Sequence, residues 1–323
     1  MKKIRWLHIS DLHFGLDNYF IGEMRRKMKP YIEEHLMNEK FHYLFVTGDL
    51  KYSKTCKDYP KDCSDFINSL CDTIGVQKDK VFIVCGNHDV ERINARKDVC
   101  AGILSDYKKN IFKIDESRYK VLKDSQSKFT KYLNSITEYE INKKTQNSPH
   151  YVIQDENVNI LFINSAITSC DDGERGKLLI GREFLQKQMK NINTNKPTIA
   201  LAHHPFDWFE KEEAEQLESI LKDYNVSLYL CGHQHVADAG SIKNINQTKE
   251  LYEIACGTLI DEVLPFENSE MGFSIGEIDI EDGAGTIQAY KYQKKFNGWH
   301  KDNTFAIPQN NETGDFKITI KKK

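Results

Sequence analysis

Five times along this chain a short apolar run ends at a small residue and is followed at once by a side chain able to hold a metal ion. Residues 4–10 lead into Asp11, 42–48 into Asp49, 81–86 into Asn87, 198–202 into His203 and 227–232 into His233. Apolar runs of this length, rich in β-branched and aromatic residues, read as buried strands. Helix-prone stretches at 20–39 and 210–223 lie between them. Alternation of strand and helix implies parallel pairing, and in parallel sheets ligand sites gather at the carboxyl ends of the strands. Five strand ends would therefore deliver Asp, Asn and His side chains to one edge.

Bulk properties narrow the functional classes. At 323 residues the chain can bury a large core without disulfides or a structural metal. A formal charge of -3 and a pI near 6.4 argue against binding nucleic acid by bulk electrostatics, though not against a local basic groove. None of the eight cysteines forms a C-x-x-C pair, which excludes a zinc ribbon or thioredoxin-like motif. Cys85, Cys231 and Cys256 each precede a glycine at the end of an apolar run and read as small core residues in a reducing cytosol. The run at residues 4–9 after Met1-Lys2-Lys3 is too short for a signal peptide. No stretch approaches the ~18 apolar residues of a membrane span. A cytoplasmic protein without membrane attachment is expected.

Two regions depart from this rhythm. Residues 91–144 are long and helix-prone, with 13 Lys+Arg against 8 Asp+Glu, and suit either a lid over the site or a solvated helical excursion. Residues 251–256, 272–280 and 286–292 read as consecutive strands of a second, largely antiparallel layer. The expected division is one domain over 1–300, with a helical insertion at about 91–150, and a polar tail over 301–323 ending in Lys321-Lys322-Lys323.

The local patterns carry chemistry. Asp11-Leu12-His13 places two ligands at i and i+2, which in an extended segment point the same way. His233-Gln234-His235 repeats that spacing. Gly48 before Asp49 and Gly86 before Asn87 permit sharp turns and close backbone approach. Carboxylate, imidazole and amide donors without thiolate suit manganese, iron, zinc or cobalt rather than a soft metal.

In this order, Asp11-Leu12-His13, Gly48-Asp49, Gly86-Asn87-His88-Asp89, His203-His204-Pro205 and Gly232-His233-Gln234-His235 resemble the calcineurin-like metallophosphoesterases. The resemblance implies a four-layer α/β/β/α sandwich of two mixed sheets with two divalent metal ions, manganese foremost, with iron, zinc, cobalt or nickel as alternatives. Carried over by position, Asp11, His13 and His235 would hold one metal, Asn87, His203 and His233 the other, and Asp49 would bridge them. A hydroxide between metals about 3.5–4 Å apart would attack a phosphate ester in line. His88 would stabilise charge or protonate the leaving oxygen, with Asp89 orienting its imidazole. His203 is chosen over its neighbour as the ligand, leaving His204 and Arg92 as substrate-binding candidates. His8 reads as a core histidine.

Branches of the family can be compared. Residues 48–52 read GDLKY and fit the GDxxY pattern of purple acid phosphatases, but that branch lacks a histidine where His13 stands, so Tyr52 reads as coincidence. The phosphoprotein phosphatases require an arginine-containing GDxVDRG, absent here. Residues 7–15 look like both bacterial cyclic-nucleotide phosphodiesterases and SbcD/Mre11-type exonucleases, and His203-His204-Pro205 favours the former. The expected function is metal-dependent phosphodiester hydrolysis, on a phosphate ester that could be a nucleotide or nucleic acid. A nuclease is the alternative, to be supported if residues 91–144 and 291–295 lined one groove with Trp299 free to stack on bases. A third reading is a non-catalytic binding scaffold, as the retromer subunit with this fold is. Scaffolds of this fold lose ligands, whereas here all seven positions and His88 are filled.

Overall fold

The computed structural model describes residues 3–109, 114–242, 250–260, 270–306 and 313–320. Strands β1 (Lys3–Ile9), β2 (Tyr43–Val46) and β3 (Val81–Ile83) pair in parallel, as the alternation of strand and helix implies. In the second sheet β4 (Tyr151–Gln154) pairs antiparallel with β5 (Asn159–Phe162). Then β5, β6 (Thr198–Leu201), β7 (Val226–Cys231) and β9 (Leu251–Ala255) run parallel, and β8 (Asp238–Ile242) closes that edge antiparallel to β9. The first sheet is completed on the other side of β1 by antiparallel β10 (Gly272–Asp279), β11 (Ala284–Gln293) and β12 (Gly298–Lys301), with β13 (Asp315–Thr319) pairing to β11.

The period of two along a strand divides each sheet between two cores. From β1, Ile4 and Trp6 join Phe45, Phe82, Phe162, Leu201 and Leu230 between the sheets. Leu7 and Ile9 face outward against α1 (Tyr19–His35) and α2 (Lys61–Ile74). Helix α1 starts where Asn18 caps Ile21 N, and buries Ile21, Met24, Met28 and Ile32 at helical spacing. On the far side, α7 (Arg182–Met189) and α8 (Lys211–Asp223) bring Leu185, Leu217 and Leu221 onto Leu161, Ala200 and Tyr229. The order helix, sheet, sheet, helix is the four-layer sandwich expected.

Residues 91–144 form α3 (Asn94–Lys108), α4 (Glu116–Asp124), α5 (Ser127–Ile136) and α6 (Ile141–Lys144). Two expectations are corrected. The stretch 251–292 is not one antiparallel layer, because β9 lies parallel in the second sheet while β10 and β11 extend the first. A strand pattern reveals its own periodicity but not its partner. The stretch 301–323 is not wholly a tail, since Asp315–Thr319 pairs with residues 284–288 and buries Phe316 and Ile318. Lys321-Lys322-Lys323 lies outside the described residues.

Candidate metal centre

The strand ends turn sharply at the predicted ligands. Asp11, His13, Asp49, His233 and His235 all have positive φ, between 42° and 69°, a region non-glycine residues seldom adopt. Cross-loop bonds hold them there: Asp11 N and His13 N donate to Gly48 O and Asp49 O at 3.1 and 2.9 Å, and Gly232 N donates to His203 O at 2.9 Å. Gly48, at φ +97°, passes so close to the third loop that a Cβ would stand 2.7 Å from Gly86 N. A Cβ on Gly86 would stand 2.1 Å from Asp49 Oδ1.

The extended-segment argument for the i, i+2 pairs therefore fails. Asp11 and His13 still meet, but through left-handed turns. His233 and His235 part: His235 Nε2 lies 3.2 Å from His13 Nε2, while His233 Nδ1 lies 3.0 Å from His203 Nε2.

Two groups of donor atoms result. In one, Asp11 Oδ1 stands 3.2 Å from His235 Nε2 and 3.6 Å from His13 Nε2. In the other, His203 Nε2 stands 3.0 Å from Asn87 Oδ1 and from His233 Nδ1. Asp49 Oδ2 adjoins both, 3.7 Å from His13 Nε2 and 3.3 Å from His203 Nε2. Each carboxylate has its other oxygen occupied by a backbone N–H, His233 N on Asp11 Oδ2 at 2.9 Å and His88 N on Asp49 Oδ1 at 2.7 Å.

This donor set fits divalent cations. The inward atoms are two carboxylate oxygens, an amide oxygen and four imidazole nitrogens, with more lone pairs than protons to satisfy them. His203 Nδ1 donates to Thr47 O at 2.7 Å, which aims the Nε2 lone pair at the cluster. No hydrogen bond reaches the buried Asp11 Oδ1. Burial opposes ionisation of Asp11 and Asp49, yet the surrounding histidines hold both well below the usual carboxylate range. Burial also opposes a proton on His203, but Asp49 outweighs it and raises that imidazole to about 9. The pocket thus demands positive charge. The Asn87 amide also faces the cluster, and a bound cation would favour its oxygen inward. Reversed, its nitrogen would donate to Asp49 Oδ2, His203 Nε2 and His233 Nδ1 instead.

His88 lies at the edge of both groups, its ring 4.9 Å from that of His13. Its Nδ1 is held by the Ser53 hydroxyl at 3.0 Å and Ser53 N at 3.3 Å. Burial holds its pKa low, near 3, against the pull of Asp49. Asp89 does not orient His88. Its carboxylate accepts from Asp49 N, Leu50 N and Gly86 N at 2.9–3.2 Å and from the Tyr59 hydroxyl at 3.1 Å. A tight turn sends the two neighbouring side chains in different directions.

His204 is buried, with Nδ1 3.1 Å from Ser165 Oγ and its ring 4.5 Å from that of His233. Arg92 Nη2 lies 3.1 Å from the outer end of the Asn87 amide and pairs with Asp172 at 2.6 Å. His8 is a core histidine, 2.9 Å from Thr47 Oγ1. Trp299 is buried and donates to Met24 O, so it is not free to stack on a base. Tyr52, set aside in the sequence, stacks on His88 with ring centroids 5.0 Å apart. Sequence reasoning missed Ser53, Thr47, Ser165 and Asp172. It also missed Arg25, whose guanidinium donates to Leu12 O between two predicted ligands. Nothing in these residues' local patterns marks them.

The model of a family described as calcineurin-like phosphoesterase matches residues 4–237. The metallophosphoesterase-like protein YydB of Bacillus subtilis (strain 168) is 28% identical over 308 residues, covering 93% of this chain. The chain spans only 62% of that relative's length. Among solved structures, GAP50 of Plasmodium aligns with 99% of this chain and 90% of its own at 16% identity and a TM-score of 0.48. Vps29 of Chaetomium thermophilum aligns with 98% of both chains at 10% identity and a TM-score of 0.40.

Proposed function

The chain belongs to the calcineurin-like phosphoesterase family, and we propose that it is a dinuclear metal-dependent hydrolase of phosphodiesters. The observation that carries this reading is the shared oxygen, Asp49 Oδ2, between two groups of three further donors. Asp11, His13 and His235 would hold one ion and Asn87, His203 and His233 the other. Bound there, two divalent cations would lower the pKa of a water and neutralise charge on the phosphoryl group.

The chain's own residues would do the rest. Ser53 occupies His88 Nδ1, leaving Nε2 to hold or pass a proton beside the leaving oxygen. Burial keeps that imidazole neutral at rest, and an anionic phosphate beside it would favour the proton. Arg92, flanking Asn87, is placed to meet an anionic group of the substrate. Residues 91–144, which begin beside the cluster, border the substrate's approach in this reading. The expected single domain over 1–300 is part of it. No helix among the described residues is long and apolar enough to cross a membrane.

The test is an assay with Mn²⁺ on bis(p-nitrophenyl) phosphate, p-nitrophenyl phosphate, a cyclic nucleotide and single-stranded DNA, with metal content measured alongside. The reading expects two ions per chain and faster hydrolysis of diester than monoester. A folded chain that binds neither ion, or hydrolyses none of the four, would refute it.

A further inference from the structure

Three loops meet beside His88 and carry charges that the metal centre does not use. Lys54 follows Ser53, the residue that holds His88 Nδ1, and its Nζ lies over the ring of Tyr52, 5.9 Å from the centroid. Arg92 Nη2 lies 3.1 Å from the outer end of the Asn87 amide. Between them Asp172 spans both cations, one oxygen 3.0 Å from Lys54 Nζ and the other 2.6 Å from Arg92 Nη2.

These residues are anchored. Lys51 Nζ donates to Cys56 O at 3.1 Å and His88 O at 3.4 Å, fastening the loop of Lys54 to that of His88. Arg96, wholly buried, donates to Ala166 O, Ile167 O and Ser169 O and fixes the loop that ends in Asp172. Two of the partners nonetheless face solvent, the side chains of Lys54 and Asp172 being 52% and 44% exposed, while that of Arg92 is 19% exposed. Exposed ion pairs are weak, so an anion of higher charge from solution can replace the carboxylate.

We propose that Lys54 and Arg92 form a subsite for a second, non-reacting phosphate of the substrate, with Asp172 as the resident counter-ion that this phosphate displaces. The subsite rests on the phosphoesterase reading of the neighbouring centre and narrows it. The preferred substrate carries a second phosphate close to the scissile ester, as a phosphorylated nucleotide diester does. Arg92 supplies a planar fork suited to two phosphate oxygens and Lys54 a point charge. Asp172 makes occupancy selective, since a neutral substituent cannot compete with it.

Two arms test this. In metal-free protein, inorganic pyrophosphate binding is followed by isothermal titration calorimetry. The joint variant Lys54→Ala/Arg92→Ala should weaken binding about 10-fold or more, and Asp172→Asn should tighten it severalfold. Loss of the fold cannot mimic the second effect. In Mn²⁺-loaded protein, hydrolysis of thymidine 5′-(p-nitrophenyl phosphate) is compared with that of its 3′-phosphorylated form. Wild type should favour the 3′-phosphorylated ester in kcat/KM, and the joint variant should lose that preference. Absent pyrophosphate binding, binding indifferent to Lys54 and Arg92, or weaker binding in Asp172→Asn would overturn the subsite. Pyrophosphate binding as expected, with no hydrolysis of either ester, would instead count against the phosphoesterase reading.

Discussion

The carboxylate of Asp89 holds the backbone of Asp49: its Oδ2 accepts from Asp49 N at 2.9 Å and its Oδ1 from Leu50 N at 3.2 Å. Asp49 takes a left-handed conformation, φ 54°, and these bonds stabilise it there with Oδ2 facing both donor groups. The residue beside the proposed proton donor thus serves the proposed bridging ligand.

Asp89→Ala leaves three buried backbone N–H groups without their acceptor. We expect a stability loss on the order of 3 kcal/mol and metal affinity lower by about 10–100-fold. Asp89→Asn, which keeps one acceptor, should fall between. Denaturant unfolding and metal titration of both variants check this. Wild-type metal affinity in Asp89→Ala would refute the positioning role.

Asp49→Ala removes the oxygen that adjoins both donor groups. Loss of a terminal ligand such as His235 should mainly weaken one ion, whereas Asp49→Ala should abolish paired occupancy and activity. Elemental analysis of the purified variants reads the difference. Two ions and full activity in Asp49→Ala would rule out the bridge.

His88→Ala should retain both ions and lose roughly 10²–10⁴ in kcat. The loss should be smaller with a p-nitrophenolate leaving group than with an alkoxide, because the former needs little protonation. Ser53→Ala, which frees Nδ1, should show a milder loss of the same kind. Equal impairment on the two ester types would exclude leaving-group protonation.

Glu253 gives a pH dependence with a defined sign. Burial, with Asp207 and Asp238 nearby, raises its pKa to about 7. The folded state therefore binds its proton more tightly than the unfolded state. The stability this confers is full below pH ~4.5 and is lost as pH rises through about 7. Glu253→Gln can still accept from Phe206 N, now at 3.0 Å, and should flatten that decline by on the order of 1 kcal/mol. Thermal unfolding of both proteins from pH 4.5 to 8 measures it, and parallel curves would contradict the shift.

Arg96→Ala should cost about 3 kcal/mol or more in stability. Its guanidinium satisfies the carbonyls of Leu122, Ala166, Ile167 and Ser169 and meets the Ser125 hydroxyl at 2.7 Å. The metals should stay bound, since none of these groups faces the cluster. A melting temperature near wild type would show that the segments 122–125 and 166–169 do not depend on it.

The chain's order of motifs determined which side chains gather, because each candidate ligand lies within four residues of the end of a buried strand. The continuous burial of β1 and the helical spacing of buried residues in α1 likewise followed from local composition. Three decisions needed the folded chain. Which sheet a strand joins depends on partners distant in sequence, so β9 and β10, close in the chain, enter different sheets. Which way a ligand points depends on left-handed turns held by cross-loop bonds, so His233 and His235 diverge while Asp11 and His13 converge. And what a buried carboxylate holds depends on the nearest orphaned donors. Asp89 turned to the amides of Asp49 and Leu50, contributed by a loop some forty residues away, because a buried N–H without an acceptor is costlier than an imidazole that Ser53 already satisfies.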